Sequence, residues 1–251
     1  MNRTATDELD RLDEAFANNR LLSTFPAEAR ALIEPFGSIV RLETSETVHG
    51  RGALVKSTYF PFGPAMISLA IDMANGRSIE VASIGHEGAV GGIVSCGHAP
   101  AFARSQVLVP GSALRVPMEA LEDAKMRSGH IRNLFCRYSD YLLAQVMQSV
   151  ACNTFHPIEQ RAARWLLTAQ DRAGPMIALT QEAFAALLGV QRTTVNAVIG
   201  TLQDEGLIAT RRGRIQVVDR AGLKRRACEC HDCVEHHFAA VIGSSGSGTP
   251  A

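Results

Sequence analysis

The chain has 251 residues, 46% of them hydrophobic and 20% charged, with 25 basic and 25 acidic side chains. That length holds one large or two modest domains with proper cores, and the composition is that of a globular chain rather than a disordered or fibrous one. No run of about 18 or more apolar residues occurs, which excludes a membrane-spanning helix, and the acidic start MNRTATDELDRLDEAF lacks the apolar centre of a signal peptide, so a cytoplasmic location is expected.

The zero net charge conceals an uneven distribution. Residues 155–226 carry 11 Lys and Arg against 6 Asp and Glu, and the remainder is acidic by the same margin. A basic C-terminal segment is the electrostatic footprint of a phosphate-binding surface.

Residues 1–35 read as short helices interrupted at Pro26. From 36 to 117 the pattern changes to strands. Ile67, Leu69 and Ile71 alternate, as do Ile79 with Val81 and Val107 with Val109. Asn75-Gly76 between two such runs predicts a hairpin with a type I′ turn. Recurrent glycines and prolines between short strands point to a barrel or roll. Pro117 precedes a short helix over 118–127, and Ser128-Gly129 interrupts it. A longer helix then runs from His130 to about Asn153. Ile131, Leu134, Tyr138, Leu142, Gln145 and Ser149 recur on it at three- and four-residue steps, which offers a dimer seam. Residues 153–156 form a hinge. Pro157 opens the next helix, with Ile158, Ala162, Trp165, Leu166 and Ala169 on its inner face.

The run TQEAFAALLGVQRTTVNAVIGTLQDEGLIATRRGR, residues 180–214, is the most specific stretch. Thr180 caps a helix whose stripe is Phe184, Leu187 and Leu188, and Gly189 ends it. A second helix starts near Gln191 and turns Val195, Val198, Ile199 and Leu202 inward. Gln191, Arg192, Thr193, Thr194 and Asn196 lie at its N-terminal end. Arg211-Arg212-Gly213-Arg214 then sits between two short apolar runs and reads as a basic hairpin. Helix, tight turn, helix and basic wing place a short polar helix face in the major groove of duplex DNA. Arg192 has the reach for the two acceptors of a guanine and Asn196 for an adenine. Thr180, Gln181, Gln191, Thr193, Thr194, Arg211, Arg212 and Arg214 complete the expected contact set, the wing arginines on phosphates. Double-stranded DNA and a second copy of the chain are the expected partners, with RNA polymerase a third if the chain activates transcription.

Six cysteines lie at 96, 136, 152, 228, 230 and 233. The first three read as buried small hydrophobes. The tail brings Cys228, Cys230, Cys233 and His236 within nine residues, a soft donor set suited to zinc or another transition metal. A packed terminal helix is the other reading, and residues 243–251 are expected to be flexible.

A roll, a long helix and a winged helix-turn-helix in this order resemble the CRP/FNR family of bacterial transcription regulators. LTQEAFAALLGVQRTTVNAVIGTLQDEGLI and RRGRIQVVDRAGL carry the resemblance most specifically. YFPFGPAMISL, IEVASIGHEGAVGG and ACNTFHPIEQRAARWLL are similar to one branch of it. The resemblance implies an α+β fold: a cyclic-nucleotide-binding-like β-roll, a long dimerisation helix and a C-terminal winged helix-turn-helix. The implied divisions are 1–129 for helices and roll, 130–153 for the dimerisation helix, 154–226 for the reader and 227–251 for the tail. It also implies a base-reading role for Arg192. Family positions matching Thr193 and Ala197 often carry Glu and Arg, so a cyclic-AMP-receptor type of operator is not implied.

In the sensor, Arg104-Ser105 matches the family's phosphate pair, but Ala89-Val90 falls where its ribose-binding Gly-Glu pair belongs, and Glu87 is displaced from it. Glu87, Arg104 and Ser105 are the candidate effector contacts, and a cyclic nucleotide is not the expected ligand. An iron–sulfur cluster of the oxygen-sensing branch needs an N-terminal cysteine group. The first cysteine here is Cys96, so no such cluster is expected and the effector stays open. The rival reading is a regulatory protein that binds a small molecule or metal and whose winged helix contacts a protein. No nucleophile elbow, P-loop or HExxH spacing points to an enzyme.

Overall fold

Short strands with closely spaced turns fold residues 38–117 into two facing sheets, and helices flank this roll on both sides of the chain. The structure, a computed structural model, describes residues 3–93 and 99–243; Cys96 and the expected flexible end over 244–251 lie outside the described residues.

Helices α1 (Arg3–Asn18) and α2 (Ala27–Ile33) precede the strands. The first sheet has the order β1 (Ser38–Leu42), β7 (Gly111–Pro117), β3 (Ser57–Phe62). The second has β2 (Thr47–His49), β6 (Arg104–Val109), β4 (Met66–Asp72), β5 (Ser78–Ile84). Every pairing is antiparallel. Leu12, Ala15 and Phe16, at helical spacing, are buried on one side of α1. Asn19 closes that helix against the roll. Its fully buried amide donates to the Pro61 and Gly88 carbonyls and accepts from the Leu21 and Leu22 N–H groups.

The β4–β5 hairpin is present, but its turn differs from the expected type I′. Gly76 has φ +78° while Asn75 stays at negative φ, and the Gly76 N–H donates to the Met73 carbonyl. Only the glycine is left-handed because the connection carries an extra residue, as in a type I turn closed by a glycine bulge. Register shifts at Met66/Ile67 and Leu69/Ala70 interrupt the alternation of β4: Met66, Ile67 and Ser68 are all buried, while Leu69 and Ile71 are only partly so.

Helix α3 (Met118–Arg127) leads to α4 (Gly129–Phe155), 27 residues and roughly 40 Å long. It runs two residues beyond the expected end and stops where Pro157 holds His156 extended. Ile131, Leu134, Tyr138 and Gln145 of the expected seam are buried within this one chain, and Leu142 and Ser149 are partly covered. The stripe therefore packs on the chain's own roll, and a different face of α4 is left open: Leu143, Met147 and Val150 are 56%, 58% and 64% exposed.

The C-terminal part consists of α5 (Ile158–Ala173), β8 (Met176–Ile177), α6 (Gln181–Leu188), α7 (Arg192–Asp204), β9 (Ile208–Arg211), β10 (Arg214–Val217) and α8 (Arg220–Arg226). Its core joins Trp165, Leu166, Phe184, Val195, Ile199 and Ile215, and the same cluster takes in Met66 and Val109 of the roll. The two parts are packed together. A last helix, α9 (Cys230–Ile242), folds back along α4 and α5, burying Phe238 against Tyr141. No helix of the described residues is long and apolar enough to cross a membrane.

Candidate nucleic-acid interface

Helix α6 begins at Thr180, whose hydroxyl accepts from the Ala183 N–H at 3.1 Å. This cap satisfies one of the free donors of the first turn. The helix ends at Gly189 with φ +69°. A Cβ there would also come within 3.1 Å of Ile79, because the turn rests on strand β5. Glycine is thus required by conformation and by space.

Helix α7 follows after two residues. Val195, Val198, Ile199 and Leu202 are buried beneath it. Gln191, Arg192, Thr193, Asn196 and Ala197 are exposed, and Thr194 is half-buried. Gln191 takes the cap position in an extended conformation without a side-chain bond, so the N-terminal amides of α7 face outward beside Arg192. Strands β9 and β10 pair Arg211 with Arg214 across the tip, where Gly213 adopts φ +65°.

Between the start of α6, the start of α7 and the wing lies an open groove of about 360 Å3. Thr180, Gln181, Arg192, Arg211, Arg212 and Arg214 line it, with Glu182 as the sole acid. Among the described residues none of these four arginines is in an ion pair. Four cations held close together with no carboxylate partners form a surface suited to a polyanion. Gln191, Thr193 and Asn196 sit on the exposed helix face outside the groove.

The candidate effector residues are not brought together. Arg104 is turned onto Asp72 through two 2.8 Å hydrogen bonds, and this guanidinium holds the Asp72 carboxyl at about 2. Ser105 is buried in the roll. Glu87 lies on the opposite side, under α5, where it accepts from the Gly85 N–H and pairs with Arg172 at 2.8 Å. A cavity of about 380 Å3 opens in the roll instead, lined by His49, Leu69, Val90, Ser105 and Leu142 among others. Neither Glu87 nor Arg104 reaches it.

Glu87 and Arg172 belong to a buried contact between roll and reader that the sequence reading missed. Trp165 of α5 donates to Glu80 of β5 at 2.7 Å. Arg172 also donates to the Ser83 hydroxyl, and Gln145 of α4 accepts from the Ser83 N–H. Burial pushes the Glu80 carboxyl up. Burial alone would lower Arg172, but the Glu87 and other acidic charges around it keep it raised. Arg77 donates to the Gly189 carbonyl at the rim.

Of the four expected metal-ligand candidates, two are brought together and two lie apart from them. Cys228 and Cys230 converge on Cys152 and His156 at the end of α4, not on Cys233 and His236. Cys233 falls in the first turn of α9, exposed and directed toward Met147 and His237. One sequence signal was available: Cys152 and His156 are only four residues apart, at the point where Pro157 ends the long helix.

Residues 160–226 match the family described as a Crp-like helix-turn-helix domain. No curated protein matches the sequence significantly. Among solved structures, the chain is similar to FixK2 from Bradyrhizobium japonicum, with a TM-score of 0.64 at 16% identity over 76% of this chain and 98% of that one. A regulator of the crp/fnr family from Eubacterium rectale superposes with a TM-score of 0.63 at 16% identity, over 84% and 97%. CLP from Xanthomonas campestris, described as a c-di-GMP-responsive global regulator, gives 0.61 at 16% identity, over 76% and 99%.

Proposed function

The chain carries a Crp-like helix-turn-helix domain on the fold of the CRP/FNR regulators, and from that premise we propose that it is a transcription regulator that reads a palindromic DNA operator as a homodimer. The observation that carries the reading is the exposed N-terminus of α7, with Arg192 beside the unpaired arginines of the wing. Helix α7 enters the major groove, Arg192 and Asn196 meet base edges, and Arg211, Arg212 and Arg214 meet phosphates on either side. The open apolar face of α4, with Leu143, Met147 and Val150 at four- and three-residue steps, is the seam between copies.

The signal enters through the roll. Its cavity is bounded by apolar side chains with His49 and Ser105 as polar contacts, which suits a small, largely apolar ligand. Leu142 of α4 lines the same cavity, so a ligand there presses on the helix that carries both the seam and the reader. Regulation is a population shift between reader orientations, with the Glu80–Trp165 and Glu87–Arg172 contacts holding the docked one. RNA polymerase is the further partner if the chain activates.

Selection from a random duplex library tests the reading. Wild-type protein enriches an inverted repeat, while Arg192→Ala binds that repeat about 1–3 kcal/mol more weakly and random DNA almost as before. No enriched motif, or an equal loss on both DNAs, contradicts it.

A further inference from the structure

We propose that Cys152, His156, Cys228 and Cys230 form a structural zinc site that ties the C-terminal segment to the end of the long helix. The four donor atoms lie within 4.8 Å of one another. Cys152 Sγ and Cys228 Sγ are 3.6 Å apart, and Cys230 Sγ is 3.4 Å from His156 Nδ1. A tetrahedral zinc with Zn–S bonds of about 2.3 Å separates its sulfurs by about 3.8 Å, so the donors stand nearly at the corners that the ion requires.

The surroundings fit the ion as well as the donors do. His156 presents Nδ1 inward while Nε2 faces the Glu229 carboxylate at 3.3 Å. A carboxylate behind a ligating imidazole fixes its tautomer and orientation. Gln148 donates to Cys230 Sγ at 3.0 Å, as an amide does to a thiolate. Zinc with three thiolates and a neutral imidazole carries one negative charge. Arg161 and Arg164 stand beside the cluster, and the buried Nε of each has no hydrogen-bond partner. Two cations at a packed thiol cluster are poorly placed for neutral groups and well placed for that anion.

Binding forms three Zn–S bonds and one Zn–N bond and releases the three thiol protons to solvent; nothing is oxidised or reduced. The site joins the end of α4, where Cys152 lies in the last turn and His156 just beyond it, to Cys228 in the α8–α9 connection and Cys230 at the start of α9. Arg161 also donates to the Leu188 carbonyl at the helix-turn-helix bend, so an occupied site braces the reader from behind. This inference stands independently of the DNA reading, since the site can fill in a protein that binds no operator.

Elemental analysis and native mass spectrometry of the purified full-length chain test it. The expected result is close to one zinc per chain, retained on gel filtration. Cys233→Ser and His236→Ala keep it, Cys230→Ser loses it, and Glu229→Gln weakens it about 10- to 100-fold in competition with a chromophoric chelator. After chelation of the wild-type protein, added Co2+ gives the visible bands of tetrahedral sulfur-rich coordination. Apo protein that shows no such bands overturns the proposal even if Cys230→Ser fails to fold. So does stoichiometric iron with a visible chromophore, a Cys152–Cys228 disulfide in freshly isolated protein, or zinc content unchanged in Cys230→Ser.

Discussion

At the residue scale, Arg172 joins the roll to the reader. It is 95% buried, pairs with Glu87, donates to Ser83 and stands within reach of Tyr141. A buried pair contributes little net stability, but removing one partner strands the other charge in the interior. Arg172→Ala is therefore expected to cost about 3–5 kcal/mol in urea unfolding, against about 1 kcal/mol or less for Arg41→Ala, whose ion pair with Glu43 is largely exposed. Equal small losses would mean that the network is not the interdomain contact described. Neither partner was legible as such. Arg172 sits among ordinary helix residues, and Glu87 invited a ligand-binding reading because it lies within the glycine-rich stretch 85–92, next to where the resembled family has its Gly-Glu pair. Only the fold brings position 172 over position 87. Arg192 was easier to find, since the apolar spacing of Val195, Val198, Ile199 and Leu202 dictates which side of α7 faces out.

At the element scale, α4 carries two apolar stripes, and the sequence showed the richer one. Ile131, Leu134 and Tyr138 are larger and more regular than Leu143, Met147 and Val150, but periodicity states only that a face is covered, not by what. The open stripe predicts that Leu143→Glu with Met147→Glu shifts the chain to monomer in analytical ultracentrifugation without changing its thermal midpoint as a monomer. Persistence of the dimer would place the seam elsewhere. Similarly, Asn75-Gly76 identified the β4–β5 hairpin but not its turn, because one extra residue changes the backbone solution without changing the flanking pattern.

Helix α9 supplies a pH-dependent contact. His231 is 7% exposed and lies 2.7 Å from Asp171 and 3.1 Å from Asp232. Burial works against its charge, but the two carboxylates outweigh burial and raise it. Burial likewise works against Asp171, which the His231 hydrogen bond nonetheless holds low; Lys224 and then His231 do the same for Asp232. The raised histidine contributes stability below its unfolded pKa of about 6.5 and loses it as pH rises through the folded value. The depressed carboxylates contribute above about 4 and lose it as pH falls. Docking of α9 is therefore firmest between about pH 4 and 6.5 and weakens on the alkaline side. Hydrogen exchange in α9 reports this directly: protection falls from pH 6 to 8 after correction for intrinsic rates, and His231→Asn abolishes the trend. A flat wild-type profile would remove the histidine from the account.

At the scale of the whole molecule, the roll, α4 and the C-terminal winged helix share contacts rather than a loose linker. Met66 and Val109 of the roll enter the reader's core cluster, and Arg77 reaches the Gly189 carbonyl. The order of roll, long helix and winged helix could be read from the sequence because each part has its own period: two in the strands, 3.6 in the helices, and a glycine at each tight turn. The docking could not, because it depends on polar residues scattered from position 77 to position 172. The same holds for the cysteine cluster, which joins position 152 to position 230.

The central claim is that the surface around Arg192 and the wing recognises DNA sequence. Fluorescence anisotropy on the selected inverted repeat and on a scrambled duplex, each at several salt concentrations, tests it most directly. The account predicts binding to the repeat at least about 1,000-fold tighter than to the scrambled duplex, one homodimer per repeat. It also predicts that the affinity falls steeply with salt, by a slope that Arg212→Ala reduces by about one. Equal affinity for both duplexes, or binding indifferent to salt, would contradict it.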